Sequence, residues 1–169
     1  LALLSFFMYN IGKIKAQKGV VIMNRIAVIY CSVHHKNTEK LISYVDTTDN
    51  FDLCKSEDIK LGDYDLIGFA SGIYMGKLHG KLIRFIKTNQ SKLKNIFLVY
   101  TSGSGSKKYG KKIKKELTDL GLSVIDTFSC KGFDTYGPWK LIGGLAKKHP
   151  NENDFANYSL FIKNLQIKE

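Results

Sequence analysis

Three observations predict an α/β domain built on a mainly parallel five-stranded sheet with helices on both faces. Five short apolar runs are bounded by turn residues, and most are continuous rather than alternating, as strands read when both faces are covered. Segments with helical period fall between those runs. The 169 residues are 44% hydrophobic and 12% aromatic with only two prolines, a composition that suits one folded domain.

In chain order, "RIAVIYC" (25–31) predicts the first strand, and Leu41, Ile42 and Val45 make one helical face after it. "FDLCK" (51–55) predicts the second strand. Between Lys55 and Asp63 there is room for barely two helical turns, so the next helix is expected to be short or missing. "YDLIGFA" (64–70) is the third strand, followed by a helical face of Leu82, Ile83 and Ile86. "NIFLVYT" (95–101) is the fourth; Tyr109, Ile113, Leu117 and Leu120 then stripe a helix that Gly121 caps. "LSVIDTF" (122–128) is the fifth. A last helix carries Phe155, Tyr158, Ile162 and Leu165, capped by Asn151 or Asn153 after Pro150.

No repeat, proline-rich linker or low-complexity tract divides the chain, so residues 23–169 are expected to form a single domain. "LALLSFFMY" (1–9) is apolar but shorter than the roughly 20 residues that span a bilayer. Lys13, Lys15 and Lys18 follow that run, whereas a secretory signal places its positive charge first. Residues 1–22 are therefore expected to be an N-terminal extension outside the core, and no membrane span is expected.

The formal net charge of +11 comes from 26 Lys+Arg against 15 Asp+Glu. It favours acidic partners or polyanions and says nothing about fold. The run "KKYGKKIKKE" (107–116) concentrates part of it, with Lys107, Lys108, Lys111 and Lys112 at the start of a helix, where they oppose the dipole. No nucleic-acid motif accompanies the charge, so no specific nucleic acid is expected. Cys31, Cys54 and Cys130 show no CxxC spacing, which argues against an iron–sulfur cluster or a structural zinc site. Their odd number suits a reducing cytoplasm, and all three are expected to be small core hydrophobes.

The stretch "IYCSVHHKNTEK" (29–40) carries the chemistry. It runs from a strand into hydroxyls, two histidines, a lysine and an asparagine, and then opens a helix. In a doubly wound sheet ligands sit beyond the carboxyl ends of the strands. Backbone N–H groups and the positive end of a helix converge there, and Ser32, Asn37 and Thr38 add side-chain donors suited to phosphate. The other reading is a Ser- and Asn-rich turn with an ordinary cap. A Walker-A loop would need glycine before Lys36-Asn37-Thr38, and a dinucleotide fingerprint would need three spaced glycines. A receiver domain would need acids where Cys31 and Ser32 stand. What remains is a mononucleotide whose monoester phosphate is held without a metal. His34 and His35 read as loop donors; His79 and His149 have no acid and nucleophile beside them and take no role.

"IAVIYCSVHHKNTEKL" resembles the Ser-x-Thr-Gly-Asn-Thr phosphate loop of the flavodoxin family. "YDLIGFASGIYMGKLHGKL" is similar to its third strand and flavin-contacting loop, and "YTSGSGS" to the loop after its fourth strand. "CKGFDTYGPWKLIGG" and "HPNENDFANYSLFIKNL" resemble the carboxyl-terminal third of small flavodoxin-domain proteins. The resemblance covers residues 24–165 and implies a 2-1-3-4-5 sheet, bound FMN and electron transfer. It implies that Ser32, His34, Lys36, Asn37 and Thr38 hold the phosphate. It also implies that the Gly72, Ile73 and Tyr74 backbone lies near the flavin N5, with Thr101, Ser102 and Gly103 at the pyrimidine edge. Tyr74 is the leading candidate to stack on the ring; Phe133 or Tyr136 would cover another face, with Trp139 a weaker candidate, and packing alone is the other reading of each. Lys36 stands where the family has glycine, which implies a strained φ > 0 residue, with pairing to the phosphate as compensation.

The function expected is that of a cytoplasmic FMN-binding electron carrier served by an acidic redox partner such as a ferredoxin. An FMN-dependent oxidoreductase of the quinone or NAD(P)H reductase or protoporphyrinogen oxidase kind is the alternative, with "CKGFDTYGPWKLIGG" to build a substrate pocket. A flavin-free module binding through its basic face is the third.

Overall fold

The computed structural model describes residues 23–167, so the expectation for residues 1–22 lies outside the described residues. Nine main elements follow in order: β1 (Ile26–Cys31), α1 (Asn37–Ile42), β2 (Asp49–Asp52), β3 (Leu66–Gly72), α2 (Gly80–Thr88), β4 (Asn95–Ser102), α3 (Lys108–Asp119), β5 (Ser123–Lys131) and α4 (Glu152–Gln166). The five strands form one sheet in the order β2-β1-β3-β4-β5, and every neighbouring pair is parallel. Only a single 3₁₀ turn, Leu61–Asp63, stands where the second helix was expected to be short or missing. The chain order reverses between β1 and β3, and that reversal places the ligand crevice.

Alternation along β1 divides the core. Ile26, Val28 and Tyr30 face a layer with Leu41 and Ile42 of α1 and Tyr158 and Ile162 of α4. Ile29 faces the opposite layer, with Leu82 and Ile86 of α2 and Ile113 and Leu117 of α3. Both faces of the central strands are thus dry, which explains their unbroken apolar sequence. Each such Leu, Ile or Phe contributes roughly 1.5–3 kcal/mol by burial. Gly68 of β3 lies opposite Phe97 of β4, and a Cβ there would come within 2.4 Å of the Phe97 ring. The helix caps match the sequence: Asn151 caps α4 in a reciprocal box with Asp154, and Gly121 after α3 adopts φ +81.

Two details depart from expectation. The second strand ends at Asp52 rather than Lys55, because the chain turns after Leu53 donates to the Tyr30 carbonyl at 2.9 Å. That turn carries Cys54 out to solvent, so only Cys31 and Cys130 are buried and the expectation of three core cysteines fails for Cys54. At the far edge, β5 carries a bulge: Ile96 pairs with Val124 but Phe97 pairs with Asp126, leaving Ile125 unpaired and 41% exposed.

Candidate functional site

Loops at the carboxyl ends of β1, β3, β4 and β5 enclose a cavity of about 470 Å³. From the first loop come Ser32, His34, Asn37 and Thr38, and these tie the loop to its neighbours. The Asn37 amide donates to the Phe133 carbonyl at 2.8 Å, and the Thr38 and Thr101 hydroxyls are 3.0 Å apart. Ser32 Oγ accepts the Glu39 N–H at 3.2 Å, which leaves its own O–H free to donate. The first intrahelical bond of α1 runs from Lys40 N–H to the Lys36 carbonyl at 2.9 Å, so the N–H groups of Asn37 and Thr38 precede the helical ladder. His35 and Lys36 adopt φ 54 and φ 56, the left-handed region that an L side chain enters at a cost. The His35 ring helps hold that conformation: its Nε2 lies 2.8 Å from Thr135 Oγ1 and its centroid 4.4 Å from that of Phe133.

Gly72, Ile73, Tyr74 and Met75 of the second loop line the cavity. Tyr74 and Lys77 exchange backbone bonds of 2.8 and 3.0 Å around Met75 (φ 49) and Gly76 (φ +80), the two positive φ values of a type I′ turn. The Tyr74 hydroxyl accepts the Val33 N–H at 3.4 Å, and its ring lies 5.8 Å from that of His34 and 5.3 Å from that of His79. Burial raises its pKa, while the backbone donors of Val33 and His34 pull the other way. Tyr74 therefore joins the second loop to the first.

Thr101, Ser102 and Gly103 complete one wall; Gly132, Phe133, Asp134, Thr135, Tyr136, Gly137 and Lys140 complete the other. Two glycines allow these walls to meet. A Cβ on Gly103 would fall 2.7 Å from the Asp134 side chain, and one on Gly132 would fall 2.9 Å from the Asn37 amide nitrogen. The last wall is braced by paired bonds between Asp134 and Leu145 and by the Phe133 N–H donating to the His149 carbonyl at 3.0 Å.

Of the residues that the sequence assigned to a cofactor, Ser32, His34, Asn37, Thr38, Gly72, Ile73, Tyr74, Thr101, Ser102, Gly103, Phe133 and Tyr136 all line this one cavity. Lys36 does not: its ammonium lies 3.0 Å from Glu39 Oε2, one turn along the helix. Trp139 is also absent from the lining. Sequence reasoning did not single out Met75, Gly132, Asp134, Thr135, Gly137 and Lys140, although all but Met75 lie in the stretch it named for a substrate pocket. All except Met75 sit in the connection from β5 to α4, which lacks the periodicity that would have ordered them; Gly132 alone was findable, as a small residue at a strand end. One end of the cavity offers hydroxyls and N–H groups for an anion, and the aromatic walls offer flat apolar faces. Among the described residues no cluster of His, Cys, Asp and Glu is arranged to hold a metal ion, and no helix is long and apolar enough to cross a membrane.

Comparison with known proteins accords with this arrangement. A family model described as "Flavodoxin domain" matches residues 27–135. An uncharacterized protein of Methanocaldococcus jannaschii is 37% identical over 143 residues, covering 82% of this chain and 95% of its own. Among solved structures, flavodoxin 1 from Bacillus cereus superposes with a TM-score of 0.56 at 16% identity, covering 83% of this chain and 96% of that one. The Trp repressor binding protein of Bacillus subtilis gives 0.59 at 18%, covering 82% and 97%. The NAD(P)H:quinone oxidoreductase of Methanothermobacter marburgensis gives 0.59 at 8%, covering 87% and 98%. At those identities the structural likeness is one of fold.

Proposed function

Because the chain belongs to the flavodoxin domain family, we propose that it binds FMN in this cavity and works as an electron carrier. One observation carries the reading: anion donors and aromatic faces, contributed by four separate loops, meet around a single cavity. Its volume falls within the roughly 300–1,000 Å³ of small-molecule sites. Bound FMN supplies the redox chemistry through its ring, and the protein sets orientation, potential and access.

Ser32, Asn37 and Thr38 would hold the phosphate, with the N–H groups that open α1. The Ser32 hydroxyl is free to donate, and of the Thr38–Thr101 pair one hydroxyl donates to the other and the second donates onward. Tyr74, Phe133 and Tyr136 would cover the ring, and the Gly72 to Tyr74 backbone would face its N5 edge. Thr101, Ser102 and Gly103 would meet the pyrimidine edge, where glycine lets the backbone come close. An acidic redox partner such as a ferredoxin would dock beside the cavity, where Lys107, Lys108, Lys111 and Lys112 are exposed at the start of α3.

The test compares FMN with riboflavin. Replacing Ser32 and Thr38 by alanine is expected to weaken FMN by roughly 1.5–3 kcal/mol per lost charge-assisted bond and riboflavin far less. Fluorescence titration reads both ligands. Equal weakening of the two would put the phosphate elsewhere and end the proposal.

A second reading, an FMN-dependent oxidoreductase, is favoured by the connection from β5 to α4. Tyr136 and Lys140 line the cavity there, while Leu141 and Ile142 on the same turn stand 89% and 66% exposed. Such a rim suits a small apolar acceptor. Steady-state turnover of a quinone with NAD(P)H, abolished by Tyr136→Ala and Leu141→Ser, would favour the enzyme over the carrier.

A further inference from the structure

Outside the cavity, the neighbouring strands β1 and β2 bring two cysteines together. Cys31 ends β1 and is fully buried, whereas Cys54 follows the turn after β2 and is exposed. Their sulfurs are 2.6 Å apart. The parallel register explains the meeting: Tyr30 pairs with Asp52, so the residues just beyond lie side by side, and Cys54 N–H is held by Asp52 Oδ1 at 3.0 Å. Cys130 is buried in the layer with Tyr158 and Ile162 and offers no competing thiol.

We propose that Cys31 and Cys54 form a reversible dithiol–disulfide site that exchanges with low-molecular-weight disulfides, Cys54 attacking and Cys31 resolving. The inference does not depend on FMN. In the first step the exposed Cys54 thiolate attacks one sulfur of the small disulfide. That S–S bond breaks, a mixed disulfide forms on Cys54, and one small thiolate leaves and takes up a proton. In the second step Cys31 Sγ attacks Cys54 Sγ, the mixed S–S bond breaks, and the departing small thiolate takes up the Cys31 proton and leaves as the second small thiol. Two protein thiols are oxidised and one small disulfide is reduced to two thiols.

Exposure fixes the order, because an incoming disulfide reaches Cys54 and not Cys31. Burial, reinforced by the Cys54 contact, pushes the Cys31 thiol up to about 12, so Cys31 does not react on its own. In a reducing compartment a pair so placed acts as a transient sensor rather than a permanent staple. Closure would tie the end of β2 to the residue immediately before Ser32, so the redox state of the pair would reach the anion loop through a single peptide bond.

The experiment is intact-mass and peptide-mapping spectrometry of the full chain after incubation with oxidised glutathione. The wild type is expected to lose one hydrogen from each of two thiols, to yield a Cys31–Cys54 cross-linked peptide, and to revert with dithiothreitol. Cys54→Ser should show neither cross-link nor adduct, and Cys31→Ser should stop at a glutathione adduct on Cys54. A stable adduct on wild-type Cys54, or an unchanged mass, overturns the proposal. Cys31 is a core position, and if its variant does not fold, the wild-type and Cys54→Ser results decide the matter.

Discussion

His79 caps α2 through its side chain: Nδ1 accepts the Lys81 N–H at 3.3 Å, which only a ring nitrogen without a proton can do. Its backbone N–H donates to Ser71 Oγ at 3.1 Å, and its ring stands edge-on to Tyr74. Burial, with the nearby Lys81 and His34 charges, lowers its pKa below the ordinary 6.5. A depressed histidine stabilises the fold fully above the unfolded value of 6.5 and loses that contribution as pH falls through the folded value. Stability is therefore expected to decline on acidification below about pH 6.5. His79→Asn, which keeps a cap acceptor that does not titrate, should flatten that part of the profile. Urea midpoints measured across this range for both proteins check it; superimposable slopes would remove His79 from the account. Lys36 shows the opposite relation between a residue and its sequence. A positive φ was legible, because the lysine stands where a glycine belongs, but its ammonium turned to Glu39 instead of into the cavity. Which way a long, exposed cation points is set by its nearest carboxylate, and sequence spacing alone does not choose.

At the scale of elements, close contact between strands matters most at Gly68. Gly68→Ala places a methyl group 2.4 Å from the edge of the Phe97 ring, and overpacking of this kind costs about 1–3 kcal/mol. For a domain of this size each kcal/mol lowers the melting temperature by about 2–4 °C. Calorimetry should show that drop, with partial recovery in the Gly68→Ala/Phe97→Leu double variant. No recovery would mean that the strain lies in the backbone of β3 and not against the ring. The long helices were readable because their stripes are amphipathic and their caps explicit: Ile113 and Leu117 in α3, and Tyr158 and Ile162 behind Asn151 in α4. β2 was less readable. It is a four-residue edge strand of sequence DNFD, and polar residues at an edge carry little pattern. Cys54 was misplaced for that reason, since the turn that exposes it follows from pairing with β1 and not from local sequence. The cavity was half legible. Loops that continue a strand into a helix announce themselves by hydroxyls and glycines. Phe133 and Asp134 are positioned by backbone bonds to His149 and Leu145, which no local period encodes.

For the molecule as a whole, charge is the distinguishing property. The excess of +11 is partly gathered on α3, where Lys107, Lys108, Lys111 and Lys112 are exposed and Lys115 is paired with Asp119 at 2.9 Å. Cations at a helix N-terminus oppose the dipole by roughly 0.3–1 kcal/mol each, so stability does not explain them. Steering of the proposed acidic partner would. Reduction of the FMN-loaded protein by an acidic ferredoxin should slow as salt rises, because the Debye length shrinks from about 10 Å at 0.1 M to about 3 Å at 1 M. The Lys107/Lys108/Lys111/Lys112→Gln variant should be slower at low salt and less sensitive to it in stopped flow. A rate indifferent to both would show that docking occurs elsewhere. The bulge at Ile125 bears on a different risk. A flat nine-residue strand ending a sheet is a template on which another copy can build a continuous ribbon. Skipping Ile125 kinks β5 and breaks its run of evenly spaced N–H and C=O groups, and Asp126 and Lys131 add charge along it. Edge-to-edge pairing of this sheet with that of another copy is therefore expected to be disfavoured.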